Sequence, residues 1–233
     1  MKKEIGWWFP DHEQHLIEWM NAAGQDCAGR PAYQRHKYLE ALKWTRPGRR
    51  LAVDVGAHIG LWSWQMAQDF GNVIAFEPMP KHAECFEENV LHLPNVFLHG
   101  VALGDLPGRV HFKTRTPDSS GDTGVEPTPG AGDVKANIDC LDNFPVDVLG
   151  PLDLLKIDCE GYELFVLKGA VETLTRCKPC VIVEQKPETG GAARYGIGVT
   201  EACDFLESLG AVRRAGIQGD YIYSWDEDGA AAG

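Results

Sequence analysis

The sequence predicts an α/β protein: a doubly wound, mostly parallel sheet preceded by a helical appendage. The first observation is Leu51-Ala-Val-Asp54-Val-Gly56-Ala-His58-Ile-Gly60, where three apolar residues and an acid run into two glycines four apart. Apolar residues at helical spacing follow over Leu61–Phe70. Buried strand, tight glycine turn and helix, in that order, build a pocket for a nucleotide-like ligand. The second observation is that further apolar runs also end in acids, at Glu77, Asp158 and Glu184. The third is length: 233 residues with 44% hydrophobic content suit one sizeable domain with embellishments.

Residues 1–48 read as an N-terminal helical appendage and 49–233 as the main domain. Asp11 is placed to cap a helix through His15–Met20 that stops near Gly24, and a second helix spans about Tyr33 to Trp44. Four of the seven tryptophans precede residue 45, so this segment buries aromatic surface against something. It either packs on the sheet or forms a lid, with Tyr33, Arg35 and His36 facing a pocket. Pro47-Gly48 marks the break before the central strand.

Within the turn, Gly56 allows backbone angles that other residues avoid, and Gly60 lets the new helix pack close to the strand. Free N–H groups at the helix start would point at a ligand. Asn72-Val-Ile-Ala-Phe-Glu77-Pro78 is a second buried strand. In nucleotide-type folds an acid at that tip accepts hydrogen bonds from ribose hydroxyls, which makes Glu77 a ribose candidate. Pro78 stops the strand and fixes the chain's direction beside the ligand. Residues 81–93 read as a helix, and 95–105 as a third strand and its turn, with Ala102 and Asp105 candidate adenine contacts.

Arg109–Arg115 alternates like an added antiparallel strand. Residues 117–132 form a Gly-, Pro- and Ser-rich loop or hairpin tip in which Ser119, Ser120, Asp122 and Thr123 could touch substrate. An apolar strand over 152–158 then turns at Glu160-Gly161 into a helix with Leu164, Leu167 and Val171 on one face. Pro179–Glu184 repeats the acid-ended strand. A helix over 199–209 and two antiparallel strands, 211–214 and 220–225, close the fold, and 226–233 reads as a frayed tail.

Charge and cysteines exclude several classes. Net charge is −12, with an excess of +3 over residues 1–50 and −15 over the remainder. An acidic body argues against nucleic acid, whose binding rests on phosphate neutralisation. No run approaches the ~20 apolar residues that span a bilayer, and the start does not read as a secretory signal. A cytoplasmic protein without membrane contact is expected. Seven scattered cysteines read as free thiols of a reducing compartment, Cys177-Lys-Pro-Cys180 included.

A nicotinamide dinucleotide asks for Gly-x-Gly-x-x-Gly, which Gly56–Gly60 lacks. S-adenosyl-L-methionine has no phosphate but carries a sulfonium, an ammonium and a ribose, which an acid-rich rim with one ribose acid suits better. The rival readings are a nicotinamide oxidoreductase and a non-catalytic binding module of the same fold.

Taken together, Asp54-Val-Gly-Ala-His-Ile-Gly60, Phe76-Glu-Pro78, Ala102-Leu-Gly-Asp105 and Lys156-Ile-Asp-Cys-Glu-Gly161 resemble the successive motifs of FkbM-type S-adenosylmethionine-dependent methyltransferases. Leu167-Lys-Gly-Ala170 and Glu184 match as well. The resemblance implies a class I methyltransferase (Rossmann-like) three-layer sandwich, whose seven-stranded sheet has an antiparallel last strand. It also implies methylation of a hydroxyl on a sugar, glycan or small natural product. By this match Gly56, Ala57, His58 and Gly60 line the methionine part of the donor and Glu77 its ribose. Asp54 and Asp158 hold the amino-acid end. His58 has an alternative role as a turn residue whose ring caps the helix.

A hydroxyl acceptor gains about 10²–10⁴-fold from a general base. The candidates are Asp158, Glu160 and Glu184, with His36 added if the appendage folds over the pocket. The three acids could also hold a divalent cation. No ligand cluster is unmistakable, so no metal is expected. The aromatic-rich start could pair with another copy of the chain.

Overall fold

The computed structural model describes residues 1–128, 130–185 and 191–226. Seven strands form the central sheet: β1 (Leu51–Val55), β2 (Asn72–Phe76), β3 (Val96–His99), β4 (Leu152–Ile157), β5 (Cys180–Glu184), β6 (Val212–Ile217) and β7 (Asp220–Ser224). Their order is β6-β7-β5-β4-β1-β2-β3. Pairings from β3 through β5 are parallel, and β7 runs antiparallel to both of its neighbours. This is the seven-stranded sheet with an antiparallel last strand that the resemblance implies.

The sheet separates two cores because alternate residues of a strand face opposite sides. Leu51, Val53 and Val55 of β1 join Leu155, Ile157, Val181 and Val183 in one core. Over it lie α5 (Glu163–Lys168), α6 (Val171–Cys177) and α7 (Glu201–Ser208). Ala52, Val73, Ala75, Leu154 and Ile182 face the other core, under α3 (Leu61–Asp69) and α4 (Pro80–Val90). Gly60, at φ +93°, brings α3 onto α4. A Cβ there would come within 2.4 Å of Val90 Cγ2.

The N-terminal segment belongs to that second core. It supplies α1 (His15–Ala23) and α2 (Arg35–Leu42), and Trp7, Phe9, Met20 and Tyr38 are fully or almost fully buried with α3 and α4. Two short hairpins, Lys2–Glu4 with Trp7–Phe9 and Asp26–Cys27 with Arg30–Pro31, brace it, and the sequence reading lacked both. Asp11 does not cap α1, because its carboxylate pairs with the terminal amine of Met1. Glu13 does so instead, accepting from Leu16 N (2.7 Å). Gly24 ends the helix at φ +60°, as expected.

Between β3 and β4 lies a four-stranded sheet in the order Thr123–Val125, Gly108–Thr114, Val134–Asp139, Ala102–Leu103. The expected strand over 109–115 is there. The expected loop over 117–132 in part returns as the strand Thr123–Val125, and Val134–Asp139 was not anticipated. The single helix expected after Gly161 divides into α5 and α6 at Gly169, which lies so close to Gly104 that a Cβ would come 1.9 Å from its carbonyl oxygen. All seven cysteines are free, and Cys177 and Cys180 end α6 and begin β5. Of the expected tail, residues 227–233 lie outside the described residues. No helix among the described residues is long and apolar enough to cross a membrane.

Candidate active site

The carboxyl ends of β1, β2, β4 and β5 open into a cavity of about 270 Å³. Open parallel sheets bind ligands at that edge. The turn after β1 forms its floor. Gly56 sits at φ +73°, and a Cβ there would come 2.0 Å from the carbonyl oxygen of Asp158. The turn is therefore glycine for both backbone angle and space. Gly56 N and Ala57 N both donate to Phe76 O (3.1 Å each).

Glu77 stands beside this turn, almost fully buried. His58 N donates to Oε2 (2.8 Å), while Met79 N (2.9 Å) and His82 Nδ1 (3.2 Å) bond Oε1. Three of the roughly four acceptor positions of the carboxylate are thus filled by protein, and Oε2 keeps one for a ligand. The N–H groups of Gly56, Ala57 and His58 are consumed in holding the turn and aiming Glu77.

Asp54 and Lys156 are paired across β1 and β4. Lys156 Nζ lies 3.1 Å from Asp54 Oδ1, 3.0 Å from Gly56 O and 3.9 Å from Asp158 Oδ2. Burial alone would lower its pKa, but the charges of Asp54 and Asp158 outweigh it and hold the ammonium above the ordinary lysine range. Asp54 is fully buried and also accepts from Ser63 Oγ (2.7 Å), so it anchors the turn from behind and does not line the cavity.

At the other end stand Asp158, Glu160 and Glu184, with one carboxylate oxygen of each within 4.8 Å of the others. Glu160 takes φ +55° in the turn that follows β4, which turns two nominally adjacent acids toward one space. Tyr33 joins them in the cavity wall. Burial and the charges of Asp158, Glu184, Asp220 and Glu160 raise its pKa well above the ordinary phenol value, so the hydroxyl stays protonated. The turn itself is held by Glu163, whose Oε1 accepts from Cys159 N (2.8 Å) and Gly161 N (3.0 Å).

The remaining wall comes from outside the central sheet: His15 and Leu16 of α1, and residues 119–123 of the hairpin. The two meet directly, since Asp118 O accepts from Gln14 N (3.0 Å) and His15 N (3.3 Å). Ser120, fully buried, donates through N (2.6 Å) and Oγ to Glu13 Oε2, and its Oγ lies 2.8 Å from His58 Nε2.

Nine of the donor-site and catalytic candidates named from sequence therefore line one cavity: Gly56, Ala57, His58, Glu77, Pro78, Ala102, Asp158, Glu160 and Glu184, and the loop candidates Ser119, Ser120, Asp122 and Thr123 line it too. Asp54, Gly60 and Asp105 lie outside its lining, with Asp54 and Gly60 serving the ion pair and the helix contact already described. Of the lid candidates Tyr33 faces the cavity. Arg35 instead bonds Cys27 Sγ (3.0 Å), and His36 Nδ1 pairs with Gln25 (3.0 Å). Sequence reasoning missed His82, Tyr162, Lys156 and Glu13. A lysine inside the apolar run 152–157 was the available signal, because a buried cation must be paired.

The cavity fits S-adenosylmethionine by the chemistry of its lining. The charged lining is dominated by acids, while its one ammonium, Lys156, is neutralised by Asp54, which suits a cationic ligand with a ribose.

The family model of the methyltransferase FkbM domain matches residues 54–213. Among solved structures, the chain is similar to a methyltransferase FkbM from Methylobacillus flagellatus KT, at 19% identity and a TM-score of 0.52. That match covers 76% of this chain but 44% of the other, so the chain spans less than half the length of that relative. A second is the precorrin-6y C5,15-methyltransferase from Geobacter metallireducens GS-15, at 14% identity and a TM-score of 0.45, covering 83% and 89%. No curated protein matches. The first likeness shows a shared class I methyltransferase fold.

Proposed function

Because this chain belongs to the FkbM methyltransferase family, we propose that it moves a methyl group from S-adenosylmethionine to a hydroxyl of a sugar, glycan or small natural product. The observation that carries the proposal is the convergence of Asp158, Glu160 and Glu184 at the far end of the cavity from Glu77. The bound donor supplies a methyl carbon already activated by the sulfonium. Gly56, Ala57 and His58 shape the floor beneath its methionyl part, Glu77 accepts from its ribose, and Ala102 flanks its adenine.

Positioning carries most of such a displacement, about 7–11 kcal/mol where reactants are well oriented. The acid trio adds a base for the acceptor hydroxyl, and Glu184 or Glu160 takes its proton as the methyl arrives. Tyr33, kept protonated, offers a hydrogen bond to the acceptor oxygen and closes that end. The appendage over 1–48 thereby serves as the wall of the acceptor end.

Calorimetric titration with S-adenosylhomocysteine tests the donor half. The wild type binds, and Glu77→Ala weakens binding about tenfold or more, the value of a hydrogen bond to a charged group. Absence of binding by the wild type refutes the reading. For the acceptor half, Glu160→Gln and Glu184→Gln are assayed with a panel of hydroxylated acceptors. At least one should lose roughly 10²–10⁴-fold in kcat, and full activity in both, and in Asp158→Asn, places the base elsewhere.

A further inference from the structure

Glu13 precedes the matched domain and does not line the cavity, yet it is fully buried and reaches the floor through one residue. Its Oε1 accepts from Leu16 N, and its Oε2 from both Ser120 N and Ser120 Oγ. A hydroxyl has one proton to give. Once Ser120 gives it to the carboxylate, the 2.8 Å contact between Ser120 Oγ and His58 Nε2 must carry a proton from the ring. The ring of His58 is neutral, since burial first, and then His82, Lys156 and His12, drive its pKa well below the ordinary value. A neutral imidazole protonated at Nε2 has a bare lone pair at Nδ1.

The ring has little freedom to escape this arrangement. Its main-chain N–H is tied to Glu77, its φ is +52°, and the ring of His82 packs edge-on at 4.3 Å, itself held by Glu77. Among the described residues Nδ1 has no protein hydrogen-bond partner, and His58 lines the cavity.

We propose that Glu13, acting through Ser120, fixes His58 as its Nε2–H tautomer so that Nδ1 accepts a hydrogen bond from the ammonium of the methyl donor's amino-acid end. This rests on the reading that the donor's methionyl part lies along the turn. The ammonium is the matching group because it only donates, and a neutral ring accepts from it without like-charge repulsion. The ribose hydroxyls, in contrast, face Glu77. Glu13 and Ser120 are positioning residues: they set which ring nitrogen is the acceptor.

Nitrogen NMR of the histidine rings in the donor-free protein, assigned with His58→Asn, gives the first test. The proton should sit on Nε2 of His58, and a proton on Nδ1 overturns the proposal whatever the variants do. Calorimetry with S-adenosylhomocysteine gives the second. Ser120→Ala and Glu13→Gln should each weaken binding about tenfold, with the acceptor KM unchanged and Ser120→Thr restoring affinity.

The wild type should bind the analogue lacking the α-amino group about tenfold more weakly than S-adenosylhomocysteine. Ser120→Ala should bind the two alike, an effect that a merely structural role for Ser120 would not produce. Unchanged affinity in both variants overturns this proposal alone. Failure of the wild type to bind S-adenosylhomocysteine overturns the donor reading and this ligand with it. If Glu13→Gln does not fold, Ser120→Ala and the wild-type tautomer decide.

Discussion

Individual side chains at this site work mainly by organising backbone. Glu163 is the clearest case: its carboxylate grips the turn that presents Asp158 and Glu160. Burial pushes its pKa up to about 7, against the hydrogen bonds of Cys159 and Gly161 that lower it. A raised acid binds more protons in the native than in the unfolded state, so its contribution is complete below the unfolded value of about 4.5. It is lost as pH rises toward 7. Urea unfolding should therefore show stability declining across that window. Glu163→Gln, which keeps the accepting oxygen, should flatten the decline; an unchanged slope would assign it to another group. At this scale part of the cavity lining was legible, because Gly56, Glu77 and Asp158 are marked by their places at strand ends. Glu13 was not, since its partner Ser120 lies 107 residues away.

Between elements, charge as well as apolar packing joins the appendage to the sheet. Lys37 of α2 and Asp220 at the start of β7 form an ion pair with both side chains buried. Asp220 is also the register partner of Glu184 across β5 and β7, so α2 is tied beside the acid trio. Removing one member of a buried ion pair costs about 3–5 kcal/mol. Lys37→Met should lower Tm on the order of 10 °C, and adding Asp220→Asn should recover much of it. A drop of a degree or two in differential scanning calorimetry would mean that solvent reaches the pair. The strands and their acids were readable from apolar runs, and so were the long helices. The small hairpins and Val134–Asp139 were not: Lys2–Glu4, Arg30–Pro31 and Val134–Asp139 are mostly polar and not fully buried, and Trp7–Phe9, though apolar, is only three residues long.

Across the whole molecule, the segment that reads as an appendage in sequence is built into one of the two cores. Trp7, Phe9, Met20 and Tyr38 bury their surface with Trp62, Met66 and Phe86. Such sharing makes unfolding cooperative. Tryptophan fluorescence, with four of the seven tryptophans before residue 45, should report the same denaturant midpoint as far-UV circular dichroism. An earlier fluorescence transition would show the segment detaching first. The sequence marked this segment by its aromatic density without saying what those rings meet, because burial against a distant sheet has no local period.

The Lys37–Asp220 pair also has a meaning in time. Its members are 183 residues apart, so during synthesis α2 is made while the strand that completes it is still far from being translated. Until β7 arrives, Lys37 lacks the carboxylate it is buried against in the finished fold, and α2 has reason to stay off the sheet. Closing so long a loop comes late in folding. The charge that locks the finished protein thus also times the docking of α2, which completes only when nearly the whole sheet exists.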